Sequence, residues 1–344
     1  MSEAPKRIAI NGFGRIGRCV LRAFFEQPAL QQSFVVVCIN EIADTATLTH
    51  LLKYDSTHGR LNAQVSVEQR GGSEYLLIQS QGVELPAIAL THHETPSQTQ
   101  WDCDVLLECT GRFAAAIDAD TYRRRGAKKV LYSQPAFADV DATIVYGVNH
   151  LNLKASDAII SNASCTTNAV VPVIQQIHQA FHIEAGAITT LHSAMNDQPV
   201  IDAYHHTDLR KTRAAINSMI PVRTELAKGI ERLLPEMAGR FTAHAIRVPT
   251  INVSAIDLAI TLKHETTEQQ INTLLENAAQ QLPANVLAVT HEKLTSCDFN
   301  HDMHSVVVDA SQTQVVKGKL VKLLLWFDNE WAYANRMLDV AALL

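Results

Sequence analysis

Arg7-Ile8-Ala9-Ile10-Asn11-Gly12-Phe13-Gly14-Arg15-Ile16-Gly17-Arg18 joins a short apolar run to a G-x-G-x-x-G turn and then to the start of a helical segment. Three glycines at this spacing allow a tight bend, a close approach of backbone to a pyrophosphate, and close packing of the following helix on the strand. The helix N-terminus beyond the turn offers N–H donors and positive potential to phosphate oxygens. From Arg15 to Gln27, Ile16, Val20, Leu21 and Phe24 share one helical face, and Pro28 reads as the stop.

Working outward, strand-length apolar runs recur at Phe34 to Ile39, Val105 to Glu108, Val130 to Tyr132 and Thr143 to Tyr146, alternating with helix-period segments. That alternation predicts a parallel α/β sheet. The second run ends at Cys38-Ile39-Asn40, directly before Glu41. An acid there can hydrogen-bond both ribose hydroxyls and repel a 2′-phosphate, which points to NAD over NADP. Glu108-Cys109-Thr110-Gly111 and Tyr132-Ser133-Gln134-Pro135 each follow a strand. The carboxyl ends of such a sheet face a cofactor, although either segment also reads as an ordinary turn.

Beyond about residue 187 the strands lengthen and alternate, as in Ala187 to His192, Val253 to Leu262 and Val321 to Phe327, which predicts a mixed, largely antiparallel sheet. The expected fold class is α/β, a Rossmann-type doubly wound parallel sheet plus an α+β catalytic domain. Residues 1–164 form the expected NAD-binding domain, completed by a C-terminal helix over 329–344, and residues 165–328 the substrate domain. The polar stretch from Met195 to Thr224 has no clean periodicity and reads as a long functional or interfacial loop.

With 344 residues, two domains are expected, and 47% hydrophobic with 19% charged residues is an ordinary globular composition. A net charge of −6 argues against broad binding to nucleic acid or to anionic membrane. No apolar run approaches the roughly 18 residues of a membrane span, and Met-Ser-Glu-Ala-Pro-Lys-Arg contains no signal-type apolar region, so a cytoplasmic location is expected. Six cysteines without a C-x-x-C pair suggest reduced thiols. His92, His93, His205 and His206 come in adjacent pairs, but no metal-ligand spacing is present, so no metal is expected.

Ser161-Asn162-Ala163-Ser164-Cys165-Thr166-Thr167-Asn168 precedes the helical run Ala169 to Phe181. This puts Cys165 near a helix N-terminus, where the dipole favours a thiolate. The hydroxyls and amides around it are costly to bury for packing alone and suit a polar substrate. His192 closes the strand Ala187 to Leu191 and is the candidate base.

Asn11 to Arg18, Ser161 to Asn168, Arg247-Val248-Pro249-Thr250 and Trp326-Phe327-Asp328-Asn329-Glu330-Trp331 together resemble the glyceraldehyde-3-phosphate dehydrogenase superfamily, in order and over essentially the whole chain. Asn40-Glu41, Leu51-Leu52-Lys53-Tyr54-Asp55, His192-Ser193-Ala194-Met195 and Asp298-Phe299-Asn300-His301-Asp302 are similar to its erythrose-4-phosphate dehydrogenase branch. The resemblance implies that Cys165 attacks an aldehyde, His192 takes the proton, a hydride passes to NAD, and water cleaves the acyl-cysteine. For that branch the product is 4-phosphoerythronate, destined for pyridoxal phosphate synthesis.

It further implies Ser164, Thr166, Thr224, Glu225 and Arg247 at the substrate, with Lys211 standing where the superfamily has a second arginine. Gly12, Phe13, Gly14, Arg15, Ile16, Gly17, Glu41, Thr110 and Ser133 would serve the cofactor, with Asn329 at the nicotinamide carboxamide and Tyr333 at the same end. Met195 replaces a phosphate-pocket threonine of the glycolytic branch and cannot donate a hydrogen bond. Glu94-Thr95-Pro96 replaces the Glu-Arg segment near the adenine. A homotetramer is implied, with the loop from Met195 to Thr224 reaching a neighbouring subunit. Alternative readings are a phosphorylating glyceraldehyde-3-phosphate dehydrogenase and an NAD-binding redox sensor.

Overall fold

The computed structural model describes residues 4–80, 83–137, 139–205 and 208–344. Contacts divide the chain into two compact units. The first comprises Met1–Ile144, His150–Ser164 and Ala334–Leu344, and the second Val145–Asn149 and Cys165–Tyr333.

The first unit is built on a ten-stranded sheet among the described residues. Lys6–Asn11 lies at its centre, between Phe34–Asn40 and Cys103–Glu108, and both pairings are parallel. The first crossover runs to one side of Lys6–Asn11 and the later strands build on the other, so the carboxyl end of this strand is the topological switch point. Ile8, Ile10, Val105 and Leu107 are fully buried, as strands covered on both faces require.

Three local readings change. Helix Arg15–Glu26 ends two residues before Pro28, which opens a second short helix, Pro28–Ser33. The ring has no N–H to lose at a first helical position, so proline starts this helix rather than only ending the previous one. The strand expected over Thr143 to Tyr146 is confined to Ala142–Thr143. Val145–Asn149 turns away, with Gly147 at φ +87° and a hypothetical Cβ there only 2.8 Å from Val286 Cγ1. The sheet is also not wholly parallel, because Gln64–Arg70 and Ser73–Ser80 form an antiparallel hairpin on its edge. Its two-residue turn, Gly71-Gly72, has φ +57° and +83°, which only glycine adopts without strain.

The second unit carries a seven-stranded mixed sheet ordered Ile220–Val222, Phe241–Arg247, Ile183–His192, Ser254–Leu262, Leu320–Phe327, Val306–Val316 and Leu287–Thr290. Two of its pairings are parallel and the rest antiparallel. Helix Cys165–Phe181 buries Val170, Val171, Val173, Ile174 and Ile177. Register then lines up one end of the sheet: Ile220 pairs with Arg247, and Arg247 with His192. Leu191 pairs with Ala255, and Ser254 with Phe327.

Helix Trp331–Leu343 belongs to both units. Its start is held in the second, where Asp328 accepts N–H bonds from Glu330 and Trp331 and Trp331 stacks 3.6 Å from the His301 ring. Its end is held in the first, where Lys6 donates to the Ala342 carbonyl and Gln27 to Asn335. The five residues 329–333, expected with the first domain, therefore pack with the second.

Candidate active site

Ala163 adopts the left-handed backbone conformation (φ +54°), unusual for a residue with a side chain, and turns the chain from strand Ile159–Ser161 into helix Cys165–Phe181. Cys165 is thus the first helical residue. Its Sγ lies 3.7 Å from His192 Nε2 and 3.9 Å from Thr166 Oγ1. His192 Nδ1 is 2.8 Å from the Ser193 carbonyl. A carbonyl can only accept, so the proton resides on Nδ1 and the Nε2 lone pair faces the sulfur.

Burial lowers the His192 pKa, the Arg247 cation lowers it further, and the Ser193 carbonyl offsets only part of this. The imidazole is neutral and free to accept a proton. Burial also pushes the Cys165 thiol up to about 11, against hydrogen bonds from Thr166 that favour the anion. Burial thus opposes the thiolate that the helix start favours. A helix N-terminus contributes about 0.3–1 kcal/mol, less than one pKa unit, and crowding by protein around the sulfur outweighs it. The resting pair is thiol and neutral imidazole, and the anion forms when His192 takes the proton.

Arg247 sits beside His192 through strand register. Its guanidinium meets Asp197 at 2.5 Å and Gln198 Oε1 at 3.2 Å, and Met195 Sδ lies 3.4 Å from Nη2. Lys211 Nζ reaches the same Asp197 carboxylate at 2.8 Å. Asp197 is partly buried, which would raise its pKa, but Arg247 and Lys211 hold it down. The two expected substrate cations are thus brought together by an acid that sequence reading did not single out.

Thr224 Oγ1 accepts the Leu226 N–H and starts helix Leu226–Leu233. That helix packs against the Cys165 helix, where a Cβ on Gly229 would stand 3.4 Å from Thr167 Oγ1. Glu225 is exposed and paired with Arg223 and Lys228 at the surface. Ser164 and Thr166 flank Cys165, both half-buried. Asn329 follows strand Leu320–Phe327, and its Oδ1 receives hydrogen bonds from Ser193 Oγ and Ser254 Oγ. Tyr333 is buried in the C-terminal helix. Among the expected loop residues, His206 lies outside the described residues.

In the first unit, Gly12 has φ +87°, and a Cβ there would stand 2.6 Å from Thr110 N, so only glycine lets these two strand ends meet. A Cβ on Gly17 would strike the Gly12 carbonyl at 2.2 Å. Gly14 differs: no protein atom lies within 4 Å of its hypothetical Cβ. This space opens onto the start of helix Arg15–Glu26, which has no side-chain cap and no acid in its first turn. The features fit a bound phosphate group.

A pocket beside this turn is lined by Gly12, Gly14, Glu41 and Thr110, together with Asn11, Asn40, His93 and Thr95. Glu41 accepts the Phe13 N–H at 2.7 Å and the Ala43 N–H at 3.2 Å, one on each oxygen, which leaves a lone pair on each for a ribose hydroxyl. Phe13, Ile16 and Gly17 build the turn rather than line the pocket, and Arg15 is paired with Asp55 at 2.5 Å. Ser133 is not a lining residue; its N–H bonds the Glu108 carbonyl.

Beneath the pocket, buried Glu108 receives hydrogen bonds from Asn11, Tyr122 and Thr110. Burial pushes its carboxyl up, opposed by these donors. This network escaped sequence reading because Asn11 lies 97 residues from Glu108 and 111 from Tyr122, and strand pairing is what brings Asn11 beside Glu108.

A doubly wound sheet with a glycine turn at its switch point, together with a cysteine–histidine pair at the start of a helix, defines a nicotinamide-dependent oxidoreductase of the aldehyde-oxidising kind. Residues 6–116 match the glyceraldehyde 3-phosphate dehydrogenase NAD binding domain, and residues 164–329 match the glyceraldehyde 3-phosphate dehydrogenase C-terminal domain. The chain belongs to the glyceraldehyde-3-phosphate dehydrogenase family, and its cofactor is NAD.

Proposed function

We propose that this dehydrogenase oxidises D-erythrose 4-phosphate to 4-phospho-D-erythronate, with water as the final acyl acceptor. Cys165 is the nucleophile. As its sulfur bonds the aldehyde carbon, His192 takes the thiol proton and leaves an imidazolium near the new oxyanion. NAD, held by the Gly12–Gly17 turn, Glu41 and Thr110, supplies the hydride acceptor when bound. His192 then releases that proton to solvent, returns to the base role and takes a proton from the water that attacks the acyl-cysteine.

The observation that carries the choice of substrate is the surrounding of Arg247. Met195 Sδ and Asp197 occupy two sides of its guanidinium, where a hydroxyl donor would help seat the phosphate of a three-carbon substrate. A longer aldose phosphate, whose phosphate approaches Arg247 and Lys211 from another side without that hydroxyl, suits these surroundings better. Steady-state assays with each sugar phosphate, with and without inorganic phosphate, test the reading. Phosphate-independent turnover of erythrose 4-phosphate is expected, and strong phosphate dependence with the three-carbon aldehyde would overturn it.

A homotetramer is proposed on separate grounds. The loop after Met195 exposes Tyr204 at 88%, Leu209 at 85% and Met219 at 75%, with Val200, Ile201 and Ile216 also exposed. So many bare apolar side chains on one loop support a subunit contact. None of the six cysteines is in a disulfide, which supports a reducing, cytoplasmic location.

A further inference from the structure

We infer that Ser193 and Ser254 are positioning residues for the nicotinamide: together they orient the Asn329 amide so that its nitrogen, not its oxygen, faces the ligand. This rests on the reading that Asn329 meets the carboxamide.

Asn329 Oδ1 receives Ser254 Oγ at 2.8 Å and Ser193 Oγ at 3.0 Å. Ser254 Oγ also accepts the Ser193 backbone N–H at 3.1 Å, so its hydroxyl proton is directed to Asn329. Both serines are sealed from solvent, at 0% and 1% exposure. A buried hydroxyl without a partner is costly, so each donates to Asn329 Oδ1, its one acceptor among the described residues. Two donors fill the two lone pairs of the amide oxygen. The Asn329 Nδ2 group has no hydrogen-bond partner among the described residues, and Asn329 itself is half-exposed. It is left as a donor, and a donor selects the carbonyl oxygen of a carboxamide.

Ser193 has a second task. Its carbonyl accepts His192 Nδ1–H, so one residue orients both the base and the amide that meets the cofactor ring. The pair emerges from pairing, since Ser254 opens the strand antiparallel to the one His192 ends.

Equilibrium calorimetry with NAD and with ADP-ribose, which lacks the nicotinamide, tests this on the full chain. Ser193→Ala and Ser254→Ala are each expected to weaken NAD about 5- to 15-fold, the worth of one buried hydrogen bond, and to leave ADP-ribose within about 2-fold. In an Asn329→Ala background, Ser254→Ala is expected to add less than about 2-fold, because the serine acts through the amide. If Asn329→Ala weakens NAD but neither serine variant does, or if the serine losses extend equally to ADP-ribose or add in full to Asn329→Ala, the inference is overturned. If Asn329→Ala binds NAD as the unaltered protein does, the underlying reading of Asn329 fails as well.

Discussion

Arg247 sets Nη1 2.5 Å from Asp197 Oδ1 and Nη2 3.3 Å from Asp197 Oδ2, so a carboxylate already occupies the forked face that suits a phosphate. Lys211 adds a third charge to the group, at 2.8 Å from Oδ2. Two cations and one anion leave a net charge of about +1 for an incoming phosphate dianion. Asp197→Asn releases both cations and is expected to lower KM for the sugar phosphate about 3- to 10-fold, with kcat little changed. Unphosphorylated glyceraldehyde is the control and is expected not to respond. A rise in KM for the sugar phosphate would show that Asp197 holds Arg247 in place rather than competing for it.

Cys165 is held as a thiol in the ligand-free protein, its pKa pushed up to about 11 by burial. Below that value the reactive thiolate fraction grows about tenfold per pH unit. Alkylation of the Cys165 peptide by iodoacetamide, followed by mass spectrometry, is therefore expected to accelerate steadily from pH 8 to pH 10. A rate already level at pH 7 would mean that the sulfur rests as an anion.

Asp55 anchors Arg15 beneath the glycine turn. Its side chain is almost fully buried, which works against ionisation, yet the His58 N–H, Arg15 and the Thr57 N–H hold it down at about 2 from an ordinary 3.8. A depressed acid stabilises the fold above its unfolded pKa and loses that contribution as pH falls through the folded value. The difference corresponds to about 2 kcal/mol. In urea unfolding, Asp55→Asn is expected to be less stable by about this amount at pH 7, with the gap closing between pH 3.8 and 2. A gap that persists at pH 2 would assign the loss to geometry rather than charge.

The glycine turn, Glu41, and the Cys165 and His192 pair were legible in the sequence because each belongs to a local pattern: a strand, a fixed spacing, a helix start. What the sequence hid was set by pairing between distant segments. Asp197 reads as one acid in a polar loop until strand register brings Arg247 beside His192 and the loop folds over both. Ser193 and Ser254 lie 61 residues apart and meet only because their strands run antiparallel. The burial that works against a Cys165 thiolate was hidden for a related reason. A helix start is visible in sequence, whereas the packing density around its first side chain depends on the whole second unit.

The proposed reaction runs through a covalent bond between Cys165 and the substrate carbon. Rapid quenching in acid after mixing with erythrose 4-phosphate and NAD, followed by peptide mass spectrometry, measures it directly. A four-carbon phosphorylated acyl group on the Cys165 peptide, absent from Cys165→Ser, is the expected result. An unmodified Cys165 peptide during turnover, or Cys165→Ser forming NADH at the unaltered rate, would contradict it.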